Sequence, residues 1–216
     1  MYKILVIALL LISGITSASA QRDWELSTEK DGVRIYTSMV PDSKIKAIKV
    51  EGEFNATPSQ LVALIMDVNS SAEWVYHVKS SVLVKRVSPS ELYYYSEVTL
   101  PWPLTNRDFV AHLIVSRNPV TKVVTIDGPA VAGFVPVKEG VIRVIDSKGK
   151  WIITPIGPNR IKVEYTIHVD PGGTLPSWLV NTFATEGPLK IFRGIKEQLQ
   201  KRANRDRDAD FAFVEN

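Results

Sequence analysis

The sequence predicts an α+β fold: a curved antiparallel sheet of about nine strands wrapped around a long C-terminal helix, with an internal cavity. Three observations point there. Between residues 80 and 170 almost every apolar run is short, rich in branched and aromatic residues, and bounded by Pro, Gly, Asn or Asp. Apolar residues recur at helical spacing in only two stretches, one before this region and one after it. The spacing of these runs suits an antiparallel meander and not βαβ units, which would need crossover helices between the strands.

The elements follow in chain order. Residues 1–20 read as a secretory signal: Lys3 gives the positive start, Ile4 to Ile12 are apolar without interruption, and Ala18-Ser19-Ala20 suits cleavage. The apolar run is well short of the ~20 residues of a membrane-spanning helix. Residues 21–202 are then expected as one domain and 203–216 as a charged tail, in an exported chain that is periplasmic or secreted. Asp31-Gly32 opens a strand over Val33 to Ser38, and Ile45 to Phe54 alternates as a second. Thr57-Pro58 starts a helix, with the hydroxyl as cap and proline at the first position. Leu61, Leu64, Ile65 and Val68 mark its buried side, and Trp74 to Val78 continue as a short amphipathic segment.

Seven strands follow, over 82–87, 91–99, 107–116, 120–126, 141–146, 150–154 and 161–169. Two connections break the rhythm: the stiff Pro101-Trp102-Pro103-Leu104 and the apolar loop from Ala130 to Val137. The long helix begins near Leu175-Pro176-Ser177, and Gly187-Pro188 should bend or interrupt it.

Composition narrows the chemistry. The chain has 216 residues with 26 Lys+Arg against 23 Asp+Glu, a surplus too small for a phosphate-binding face, so nucleic acid is not expected. The absence of cysteine removes disulfides, thiolate nucleophiles and Cys-ligated metals. Three histidines remain: His77 and His168, which read as surface residues, and His112, which strand parity turns away from Phe109 and Leu113. Arg107 and Asp108 read as an ion pair at a strand start. A single helix cannot fill so large a sheet tightly, which favours a cavity, although composition alone would favour a solid core. The apolar Trp102 and Phe134 loops tilt toward a covered hollow.

Four stretches together resemble the START lipid-transfer domain: Asp31-Gly32-Val33; Pro101-Trp102-Pro103-Leu104-Thr105-Asn106-Arg107-Asp108-Phe109; Gly140-Val141-Ile142-Arg143-Val144; and the run from Asp170 to Asn181. The resemblance implies a helix-grip fold with a tunnel for one lipid, and marks the chain as similar to bacterial exported members of that family. It also implies a gate made of the Pro101 to Asn106 loop and the Trp178 to Glu186 segment. Trp102 would dip into a membrane interface, with Arg107 and Lys138 attracting anionic headgroups. Aligned on the shared motifs, Ser96, Phe109 and Ser147 stand where relatives that hold phosphatidylcholine place three cage aromatics. Ser71 stands where an arginine would meet the phosphate, and Leu113 where cholesterol-handling relatives carry arginine. A weakly polar lipid is therefore expected.

Parity extends the wall to Tyr94, Ser96 and Val98, to Phe109, Ala111 and Leu113, and to Ile145 with Ser147; Trp102, Trp178 and Asn181 join at the gate. No catalytic residue, metal or cofactor is expected. The partners would be a lipid or other hydrophobic small molecule and, transiently, a membrane surface, with the chain monomeric. Two alternatives stand beside this: a polyketide cyclase-like enzyme on the same scaffold, using His112 or Glu97 as acid or base, and a protein-interaction module.

Overall fold

The computed structural model describes residues 23–173, 175, 180, 184 and 186–205, with side chains as far as Arg202. Among these residues the strands are β1 (Glu25–Lys30), β2 (Val33–Ser38), β3 (Ala47–Phe54), β4 (Val78–Ser88), β5 (Glu91–Val98), β6 (Arg107–Arg117), β7 (Val124–Pro129), β8 (Ile142–Arg143), β9 (Asp146–Gly157) and β10 (Arg160–Asp170). Helix α1 spans Pro58–Met66, a 3-10 turn spans Val68–Glu73, and helix α2 spans Glu186–Arg205. The strands form one open sheet in the order β1-β2-β3-β10-β9-β7-β6-β5-β4, with β8 added beside β6. Every pairing is antiparallel except β6 with β8, which runs parallel over two residue pairs.

Local chemistry explains the boundaries. Asp31 and Gly32 both take positive φ, 54° and 77°, in a two-residue turn that pairs Lys30 with Val33. Asp-Gly suits that primed hairpin turn, so β1 is the strand that precedes it. Thr57 caps α1 through a reciprocal pair: its hydroxyl accepts from Gln60 N at 3.3 Å, and Gln60 Oε1 accepts from Thr57 N at 2.9 Å. Such a box is worth about 1 kcal/mol. In α2, Gly187 and Pro188 lie in the first turn, where proline sacrifices no helical hydrogen bond.

The expected elements therefore stand, with four changes, one of them that the strand expected over 120–126 runs instead over Val124–Pro129. β1 is additional. The strand expected over 141–146 contracts to Ile142–Arg143, and the next begins at Asp146, earlier than the expected Lys150. The segment expected to stay helical to Val78 ends at Glu73, and Val78 opens β4.

Helix α2 lies on the inner face of the sheet and packs only part of it. Phe192 sets its ring tilted 5.6 Å from Phe54 and nearly parallel to Trp151 at 6.2 Å, while Ile195 and Leu199 are buried with it. Two glycines permit this approach: a Cβ at Gly52 would meet Phe192 at 3.0 Å, and one at Gly194 would lie 2.6 Å from the Trp74 carbonyl oxygen. Beyond Ile191, toward β5 and β6, the helix no longer fills the space.

Candidate functional site

That unfilled part is a cavity of about 440 Å³, bounded by β5, β6, β9 and β10, the 3-10 turn, the loop before β6, and Ile191 of α2. Its size falls within the roughly 300–1,000 Å³ of small-ligand sites. Small residues create it. Ala111, Gly128, Ala130, Ser147 and Gly149 all face it, where branched side chains would have closed it. A Cβ on Gly128 would lie 2.9 Å from Leu113 Cδ2. Larger apolar residues make the rest of the wall, among them Ile167 and Val169 of β10.

Phe109 and Ser147, expected from the family resemblance, and Tyr94, Val98, Ala111 and Leu113, expected from parity, lie on this wall, as does Ser71. Three expected residues do not. Ser96 shares the inner face but is short and buried, and its hydroxyl donates to the Ser80 carbonyl at 3.3 Å instead of reaching the cavity. Ile145 is 66% exposed, because the chain leaves β8 after two residues and the alternation resets before β9; Val144 faces inward in its place. Trp102 is 93% exposed and points away from the cavity, while Leu100, Pro101 and Leu104 of its loop line it. Trp178 and Asn181 lie outside the described residues, as do the proposed signal and most of the 203–216 tail.

The sequence reading missed three aromatics and an arginine. Trp74 lines the cavity with its indole N–H unpartnered. Trp151 and Tyr165 stack at 4.0 Å, and Tyr94 sets its ring edge-to-face on Phe109 at 5.8 Å. Burial pushes the Tyr94 phenol up to about 12 and the Tyr165 phenol higher still, so both remain neutral hydrogen-bonding groups inside the wall. The alternation of Tyr165, Ile167 and Val169 along β10 was the signal that would have found that side of the site. His77 is exposed, as expected, and stands on the cavity rim with φ 61° and its ring edge-on to Tyr76.

Arg107 is 5% exposed and lines the cavity beside the Pro101 to Asn106 loop. Its Nε donates to the Pro171 carbonyl at 3.2 Å, one terminal nitrogen to Gly172 O at 3.1 Å, and the other to Thr105 O. It thus ties the loop to the start of the segment that leads into α2. The expected ion pair with Asp108 is absent: Asp108 accepts from Arg143 Nε at 2.6 Å and Nη2 at 3.1 Å.

The reverse face of the same strands is a dense ionic lattice. Glu97 accepts from Lys138 Nζ at 2.6 Å, Lys79 Nζ at 2.8 Å and Asn106 Nδ2 at 3.1 Å. Those hydrogen bonds, Lys138 foremost, hold the carboxyl down at about 2 against the opposing effect of burial. Arg143 also donates to the Val135 and Pro136 carbonyls at 3.0 Å each, pinning the loop of residues 130–141. Phe134 of that loop stacks on Tyr93, which stacks on His112, which in turn meets Glu91 at 2.8 Å. The loop's aromatic therefore covers the outer face and not the cavity. Neither Arg107 nor Lys138 is the free surface cation expected from the sequence.

Comparison with known proteins bears on this site. The sequence model of the family described as START domain matches residues 13–205. The chain is 33% identical over 186 residues to the phosphatidylcholine transfer protein of Mus musculus, covering 82% of this chain and 84% of that protein. It is 31% identical over 197 residues to an uncharacterized protein of Pseudomonas aeruginosa, covering 88% of this chain and 94% of that one. A STAR-related lipid transfer protein from Xanthomonas axonopodis superposes with a TM-score of 0.76 at 28% identity, over 82% of this chain and 98% of that one.

Proposed function

The chain belongs to the START domain family, and from that premise we propose that it binds one weakly polar lipid in the cavity and exchanges it at a membrane. The observation that carries this reading is the apolar hollow of about 440 Å³ beside a half-packed helix. Each methylene taken from water into such a space gains about 0.8 kcal/mol, so a bound acyl chain escapes through water slowly. Exchange then needs a gate that opens against a membrane. The gate in this reading is the Pro101 to Asn106 loop together with the segment between β10 and α2. Trp102, fully outward at its tip, enters the interface as amphipathic rings do. Arg107, bonded to carbonyls on both sides, is the tie that opening must release.

No bond is made or broken in this cycle. The acid–base candidates of a cyclase-like enzyme, His112 and Glu97, face the side of the sheet opposite the cavity, which favours carriage over catalysis. An exported chain would act between membranes outside the cytoplasm, and residues 1–20 are proposed as the address that takes it there.

Native mass spectrometry of the protein as purified tests the proposal: an added mass matching one lipid supports it. A protein that stays empty after incubation with vesicles of bacterial lipid extract would overturn it. The variant Ala111→Leu sharpens the test, since it adds bulk at one of the small residues that leave the cavity open. Lipid loading should fall about tenfold while urea stability stays within about 1 kcal/mol, because a hollow accepts volume that a packed core would not.

A further inference from the structure

Arg107 does more than tie the gate. A guanidinium has five N–H groups, and its three bonds to Thr105, Pro171 and Gly172 carbonyls leave one N–H on each terminal nitrogen. Among the described residues no carboxylate pairs with it; the neighbouring Asp108 is wholly buried and engaged by Arg143 on the reverse face. Carbonyl oxygens satisfy hydrogen bonds but cancel no charge. Removal from water lowers the Arg107 pKa, yet a guanidinium stays protonated in proteins. A full positive charge is therefore held nearly dry, without a counter-ion, in the wall of an otherwise apolar cavity. Among the described lining residues it is the single fixed charge. A buried charge without an opposite one is costly, and a charge-assisted fork is the strongest recognition device available to a side chain.

Resting on the lipid-binding reading above, we propose that Arg107 is a headgroup site. In place of a weakly polar end, the lipid of this cavity carries an anionic oxygen group, a carboxylate or a phosphate, that docks on the guanidinium beside the gate. The geometry also sets the shape of the guest. From Arg107 to Ala111, opposite Tyr94, the strand advances about 13 Å at ~3.3 Å per residue, so the charged end lies about that far along the wall from the backbone of Tyr94.

The test compares myristate, monomyristoyl lysophosphatidate and the uncharged methyl myristate, each displacing a solvatochromic hydrophobic probe from the full chain. Both anions should bind about tenfold or more tightly than the ester, the value of a charged hydrogen bond. In Arg107→Gln the ratio of anion to ester affinity should collapse to within about twofold of one, and in Arg107→Lys it should be intermediate. Preference for only one anion still supports the site and identifies the head as carboxylate or phosphate. Equal affinity of acid and ester for the wild-type protein overturns the headgroup site while leaving the cavity reading intact. A ratio that persists in Arg107→Gln overturns the assignment to this residue. Failure of all three to bind a folded protein instead removes the lipid-binding reading itself. Should Arg107→Gln not fold, the wild-type comparison with the ester decides alone.

Discussion

Two arginines, one on each face of the same region of sheet, show how differently a fold can use the same side chain. Arg143 on the outer face meets Asp108 with two nitrogens and gives two further N–H groups to the carbonyls of Val135 and Pro136. Arg107 on the inner face finds only carbonyls. The outer face is closed chemistry: Glu97, Lys79, Lys138, Asn106, Asp108 and Arg143 satisfy one another and hold a loop in place. The inner face keeps an unmatched charge, two phenols and an indole N–H around empty space. Saturated polar groups belong to architecture, and unsaturated ones in a hollow belong to something that comes and goes.

The contrast breaks most readily at Asp108. Replacing it with Ala leaves Arg143 buried without its anion and should cost about 3–5 kcal/mol in urea unfolding. A loss below about 1 kcal/mol would mean that the outer face is not the saturated lattice described. A smaller effect is expected from Glu97→Gln, read as a pH dependence. The Glu97 carboxyl sits at about 2 when folded, below the ~4.3 of a free glutamate. Its stabilisation is therefore complete above about pH 4.5 and fades as pH falls toward 2. The variant should be less stable than wild type at pH 7, with the two curves converging by pH 2; parallel curves would refute the pairing. The smallest stability effect belongs to Trp102→Ala. So exposed a side chain should leave urea stability within about 0.5 kcal/mol, yet slow lipid transfer between vesicles severalfold. An unchanged transfer rate would separate Trp102 from the gate.

Much of the sheet was readable in advance because its strands alternate cleanly and end in turn residues. β1 escaped notice because Glu25–Lys30 is mostly polar and exposed, with no apolar face to betray it; only the Asp31-Gly32 turn announced a partner strand. Parity found the wall along β5 and β6, where pairing runs unbroken from Glu91 opposite Ile114 to Val98 opposite Arg107. It failed at Ile145, where a two-residue strand interrupts the count, and at Ser96, where the side is right but the side chain too short. The glycines that open the cavity carry no periodic signal, since nothing in sequence tells a Gly in a strand what stands across from it. Arg107 was least legible of all. Its partners are backbone carbonyls, two of them 64 and 65 residues away, and backbone atoms leave no trace in residue identity.

Gly194 touches no cavity space, yet it governs how much there is. With the Trp74 carbonyl where its own Cβ would stand, the clearance between α2 and the turn beneath it is that of bare backbone. A methyl there would act as a shim, tilting the whole rod off its seat and carrying Ile191 with it. The capacity of the container can thus be retuned from a distance, by thickness at a hinge point, while every residue that a guest would touch stays as it is.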